Sequence, residues 1–166
     1  MTFVAEDGTG VENATSYVAV EAADAYWTAR NNSSWGTVAA EAKQAALLQA
    51  TAFVEGSYRG SWSGTIAKEE QGLAWPRVGA SDPDGRTLRG VPRQISDAVC
   101  ELALEALSGP LLPALDRGGR VKRETIGPIT TEYDTGAPGG KVYPVVEVLL
   151  AGLVRTSRSS IPLRRR

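Results

Sequence analysis

The chain has 166 residues, 42% of them apolar, which is enough for one domain with a real hydrophobic core. It contains no histidine and one cysteine, Cys100, which removes the commonest general base, the commonest zinc ligand and any intrachain disulfide. The net charge of −1 conceals a division: residues 148–166 hold five arginines and no acid, leaving thirteen basic and nineteen acidic side chains, a balance of −6, for residues 1–147.

The first residues, to about Asn13, are rich in Gly, Thr, Asp and Glu and read as a loose arm. They lack the basic start and apolar run of a signal peptide, so synthesis and folding in the cytoplasm are expected. Thr15–Val18 suits a short extended segment. A helix is predicted from about Val20 to Arg30, with Val20, Ala23 and Trp27 on one face. Asn31-Asn32-Ser33-Ser34 stops it, since asparagine tolerates the left-handed conformation that closes many helices. Thr37 is a good N-cap for a second helix running to about Tyr58, with Leu47, Val54 and Tyr58 on a stripe widened by Leu48 and Ala52.

Glycines 56, 60 and 64 then break the pattern, and residues 59–90 read as a long excursion containing Leu73-Ala-Trp-Pro-Arg77 and a turn at Asp82-Pro-Asp-Gly85. A third helix starts at Pro92, repeats Ile95, Val99, Leu102 and Ala106 at helical spacing, and ends at Gly109-Pro110. Segment 120–133 is β-branched and turn-bearing, and reads as a hairpin or arm. Tyr143-Pro144 opens a last helix, Val145 to about Val154. That apolar stretch is interrupted by Glu147 and falls far short of the ~20 residues that a membrane-spanning helix needs. The fold expected is mainly α: a small bundle of about four helices over residues 1–154, a hairpin or arm, and an extended basic tail, residues 155–166.

Candidate chemistry is thin. Glu69-Glu70 and the Asp82/Asp84 pair could be nominated as acid–base pairs, but a solvated loop and a plain turn explain them. Cys100 falls on the apolar side of its helix, where a buried thiol is the default. Gly118-Gly119 lacks the strand before it and the Lys-Ser/Thr after it that a phosphate-binding loop requires. No enzyme, metal or cofactor is expected.

Trp75 reads first as a loop residue plugging the core. The alternative is that Trp75 and Arg77 contact a neighbouring subunit, as Trp and Arg often do. The tail is the strongest candidate site. Arg155, Arg158, Arg164, Arg165 and Arg166 could neutralise phosphates, which would make binding to nucleic acid salt-sensitive. Ile161 and Leu163, held extended by Pro162, favour instead an acidic groove on a protein partner.

Several stretches together resemble a known family. They are Thr15-Ser-Tyr-Val18, Ala22-Ala-Asp-Ala-Tyr-Trp-Thr-Ala-Arg30, Ala46-Leu-Leu-Gln-Ala-Thr-Ala-Phe-Val-Glu-Gly-Ser-Tyr58, Leu73–Arg77, Val91-Pro-Arg-Gln-Ile95, Ile126-Gly-Pro-Ile129, Gly136-Ala-Pro138 and Tyr143–Leu150. In this order they are similar to the head–tail connector adaptors of siphophage-like virions and gene transfer agents. Sequences of this kind often carry the label "putative DnaT-like single-stranded DNA-binding protein". The resemblance covers roughly residues 14–154, with Asn31 where the family usually has glycine. It implies a helical bundle with a projecting hairpin, assembled as a ring, typically a dodecamer, beneath the portal protein in the virion neck. Such a ring extends the DNA channel, lets genomic DNA pass without sequence-specific binding, and offers a platform to a stopper or tail-terminator protein. The tail would reach the portal, and Trp75, Arg77, Arg123, Ile126 and Ile129 would be subunit contacts. The rival reading is a single-stranded DNA-binding protein that uses the arginine-rich tail.

Overall fold

A computed structural model describes residues 2–112, the strands at 123–126 and 129–132, and residues 141–155. Five α-helices occur among them: α1 Val20–Ala29, α2 Ser33–Gly36, α3 Ala40–Tyr58, α4 Arg93–Ala106 and α5 Pro144–Leu150. A 3-10 turn, Arg59–Ser61, extends α3. Two antiparallel ribbons complete the fold: β1 Thr65–Ile66 with β2 Arg77–Val78, and β3 Arg123–Ile126 with β4 Ile129–Glu132. The mainly helical architecture with one hairpin is as the sequence predicts. Among the described residues no helix is long and apolar enough to cross a membrane.

The centre of the molecule is α3 packed on α4, with α5 against α4. The buried face of α3 is Lys43, Ala46, Leu47, Ala50, Thr51 and Val54, a repeat at i, i+3/4, i+7/8 and i+11. Leu47 and Val54 lie on it as predicted, but Ala52 is exposed. The stripe is narrower in volume than the sequence suggests, because alanines 46 and 50 form its middle and keep the α3 surface flat. On α4 the predicted Ile95, Val99 and Leu102 are fully buried, as is Ala98. Full burial of an aliphatic side chain of this size contributes about 1.5–3 kcal/mol.

Thr37 does not cap α3. It is the C-cap residue of α2, and α3 starts at Ala40 from a bare Ala39. The reason lies one turn earlier. Asn31 takes the left-handed conformation (φ 53°) and closes α1. Asn32 then caps a new turn, its Oδ1 accepting the Ser34 N–H at 3.0 Å, and that turn delivers Trp35 into the core. The helix stop read at residues 31–34 is therefore also a helix start.

The expected loose arm at the N-terminus is instead folded onto the body. The Glu6 carboxylate is buried and accepts the N–H groups of Gly8 (2.9 Å), Gly10 (2.8 Å) and Val11 (2.9 Å). Val4 O accepts the N–H of Thr15 (2.8 Å) and Ser16 (3.1 Å), and Ala5 bridges Ser16. This double turn sits on Gly72, where a Cβ would stand 2.7 Å from Ala14 O and 2.8 Å from Glu12 O. Composition misleads here because the segment satisfies its polar groups internally, around one carboxylate.

The excursion 59–90 is likewise ordered. The Asp82–Gly85 turn forms as read, with Gly85 N–H on Asp82 O at 3.0 Å. The β1–β2 ribbon has no counterpart in the sequence pattern, since two residues per strand leave no periodic signal. Gly64 makes it possible: at φ +71° a Cβ there would lie 2.4 Å from Val78 O.

Candidate docking site

The end of α3 and the segment after α5 meet around two tryptophans. Trp62 and Trp75 are almost fully buried and pack edge to face with centroids 6.1 Å apart, with Tyr58 tilted over Trp62 at 5.8 Å. The Trp75–Pro76 peptide is cis. The loop bearing Trp75 is held from several sides. The Glu55 carboxylate accepts the Ala74 N–H at 3.2 Å, and the Tyr17 hydroxyl accepts the Trp75 N–H at 3.2 Å. Gln71 Nε2 donates to Leu73 O (2.7 Å) and Pro76 O (3.0 Å), while its Oε1 accepts the Lys68 N–H at 2.8 Å.

Arg77 fastens the same loop to the ribbon. Its guanidinium donates to the carbonyls of Ser63 (2.7 Å), Gly64 (2.7 Å) and Ala74 (3.2 Å). Burial pulls its pKa below the ordinary arginine value, and the charge of nearby Arg155 pulls it further.

The chain arrives beside this cluster at its basic end. Leu150 and Leu153 are buried, Val154 bridges Trp62 in antiparallel register, and Arg155 N–H donates to Ser61 O at 2.7 Å. Arg155, the last described residue, is thereby tied to the end of α3. Arg59, Arg77 and Arg155 gather there, and Arg59 also pairs with Glu55 at 3.2 Å.

Of the residues predicted for the site, the structure brings Arg155 together with Trp75 and Arg77. Trp75 is fully buried within its own chain, which corrects its reading as a subunit contact and supports the core plug. Arg77, half-buried, serves as an internal clasp. Arg123, Ile126 and Ile129 lie on the β3–β4 hairpin, where Ile126 pairs with Ile129 and Arg123 with Glu132. Arg158, Ile161, Leu163, Arg164, Arg165 and Arg166 lie outside the described residues. Sequence reasoning missed Tyr17, Glu55 and Gln71, whose polar side chains organise the loop. One signal was available: Glu55 follows Val54 on the inward side of α3, where a solvated acid is out of place.

None of the four tryptophans, residues 27, 35, 62 and 75, is more than 5% exposed. Cys100 is buried too, and burial pushes its thiol up to about 12. Among the described residues no group of three or more Cys, Asp or Glu side chains is placed to hold a metal ion.

The whole chain, residues 1–166, matches the family described as "Putative DnaT-like ssDNA binding protein". The chain belongs to that family. No curated protein and no solved structure matches it. For this DnaT-like family member the burial of the indoles bears directly on what it can bind. Proteins that hold single strands without sequence preference stack bases on exposed aromatic faces, and each such contact is worth about 1–3 kcal/mol. Here all four indole faces are occupied inside the protein.

Proposed function

We propose that this DnaT-like family member is a structural head-to-tail adaptor of a tailed bacteriophage or gene transfer agent. It forms a ring beneath the portal protein, extends the DNA channel and presents a platform to a stopper or tail-terminator protein. In this reading it is made in the host cytoplasm, resides in the virion neck and catalyses nothing. The observation that carries the reading is the anchored exit of the basic tail, with Val154 on Trp62 and Arg155 N–H on Ser61 O. A docking tail held at its root presents its arginines from one position, which reduces the entropy lost on binding a partner. The acidic balance of residues 1–147 suits a channel wall that DNA must pass without sticking, because like charges repel. Imaging of intact particles tests the proposal: density for this chain in a ring between portal and tail supports it, and its absence from the neck overturns it. Removal of residues 155–166 should leave a folded protein that no longer enters particles.

The family description favours a second reading, single-strand binding. With the indoles buried, such binding would rest on phosphate neutralisation by the tail and would fall steeply with salt. Titration of a fluorescent oligonucleotide at two salt concentrations separates the readings. Tight, salt-steep binding that vanishes on removal of residues 155–166 would establish the second.

A further inference from the structure

We propose that the groove between α4 and α5 holds the chain's own basic segment, residues 156–166, until a docking partner displaces it. Only the displacement rests on the adaptor reading; the contact itself does not. The groove has a volume of about 370 Å³, and Leu102, Val145 and Val146 are among the side chains that line it. Two carboxylates, Glu101 and Glu105, and one cation, Lys141, line it as well. Glu101 and Glu105 stand one turn apart on α4, where like charges repel and a basic occupant relieves the repulsion. Glu101 Oε1 accepts the Tyr26 hydroxyl at 2.7 Å, with the Arg30 guanidinium 3.4 Å above the Tyr26 ring. Glu105 is exposed and takes part in no ion pair among the described residues. Burial and then the Glu105 charge raise the Tyr143 pKa, so that carboxylate lies near the start of α5.

Such a groove fits an occupant that sets aliphatic side chains among cations and carries no acid. Residues 156–166 hold Arg158, Arg164, Arg165 and Arg166 and no acid, with Ile161 and Leu163 on either side of Pro162. The two aliphatic side chains match the walls at Leu102, Val145 and Val146, and the arginines match Glu101 and Glu105. Arginine stems also cover apolar surface while their guanidinium groups stay at the rim. The last described residues put the segment within reach. Arg155 is held at Ser61, past the C-terminal end of α5, while the groove lies at the N-terminal end. The seven residues of α5 rise about 10 Å, and extended chain from Arg155 to Ile161 spans ~20 Å. A segment tethered this close meets the groove at a concentration on the order of millimolar, which favours it over the same segment of another copy. The stretch before Lys141 is a poorer match, since its charges are Glu132 and Asp134 and residues 136–140 offer little apolar surface.

A nitroxide attached at Ser160→Cys tests the contact, because the buried Cys100 stays unlabelled in native protein. Amide NMR signals of residues 101–105 and 142–146 should broaden selectively at low salt, where charge pairing is least screened. Broadening spread evenly over the protein, or confined elsewhere, overturns the proposal. Glu101→Gln/Glu105→Gln keeps both side-chain shapes and an acceptor for Tyr26, so its thermal melt should match the wild type. In that variant the broadening should be lost, and broadening that persists overturns the proposal. Ile161→Ser/Leu163→Ser leaves every described residue untouched and should abolish the broadening too. Nitroxide-bearing protein mixed with untagged, isotope-labelled protein should leave the groove signals sharp. Broadening there would put the segment of a second copy in the groove and overturn the contact within one chain. Deleting residues 156–166 should shift the groove signals; signals that stay put mean another occupant, such as residues 133–140, and overturn it as well. Particle images decide the adaptor reading separately. A neck ring without groove broadening sinks this contact alone, and groove broadening without a neck ring sinks the adaptor reading alone.

Discussion

The Tyr17 hydroxyl donates to the Glu55 carboxylate across 38 positions of sequence, and the same oxygen accepts the N–H of Trp75. One hydroxyl thus joins the segment before α1, the inner face of α3 and the tryptophan loop. Tyr17→Phe keeps the ring but strands a buried N–H and removes a donor from a carboxylate. It should destabilise the protein by about 1–3 kcal/mol in urea unfolding. The double variant with Glu55→Gln should cost less than the sum of the two single changes, because both remove one network. Strict additivity would show that the residues act separately. Burial and the Glu55 charge raise the Tyr17 pKa above the ordinary tyrosine value. The unfolded chain therefore loses this proton first, so the stability it contributes holds below about pH 10 and declines as pH rises beyond that.

Trp75 packs on Trp62 and is sealed by the Glu55 and Tyr17 bonds to its loop. Trp75→Ala should cost about 3–5 kcal/mol by calorimetry, through lost transfer energy and the cavity left behind. A loss below 1 kcal/mol would mean that the loop collapses freely into the space.

Asp24 ties three helices together. Its Oδ1 accepts Lys43 Nζ at 2.8 Å and Trp35 Nε1 at 2.7 Å, linking α1 to α3 and α2. The hydrogen bond from Lys43, aided by that from Trp35, holds the Asp24 carboxyl below the usual carboxylate range. A folded pKa below the unfolded one stabilises above the unfolded value, about 4, and that contribution fades as pH falls through the folded one. Asp24→Asn should therefore lower the urea midpoint at pH 6 and matter less near pH 3. An equal deficit at both pH values would argue against the linkage.

Cys100 is both buried and raised to about 12, so native protein should react with a disulfide reagent only through opening of the α3–α4 core. The labelling rate at pH 8 should rise with urea in step with unfolding measured by tryptophan fluorescence. Rapid labelling of the native state would place the thiol nearer the surface than the structure does.

The helical framework was legible because α1, α3 and α4 repeat apolar residues at helical spacing over ten or more positions. Legibility failed wherever polar side chains face inward. Glu6, Glu55 and Gln71 are of residue types that usually stay in solvent, yet each organises backbone N–H or C=O groups that would otherwise be stranded. Thr37 was misplaced for a related reason: local capping preference favours it, while burial of Trp35 requires a turn there. Trp75 was read correctly as a core residue because a loop tryptophan beside proline has few other places to go. The valines at 145 and 148 were hidden, since a run of valine and leucine gives no sign of which members face outward.

The bridge between Val154 and Trp62 also sets how the molecule responds to mechanical load. Tension on the residues beyond Arg155 enters the body at Ser61 and Trp62, where the strand-like pairing is pulled along its length. Those two contacts lie between such a load and α5, so the root of the tail is tied to the end of α3 as well as to its own helix.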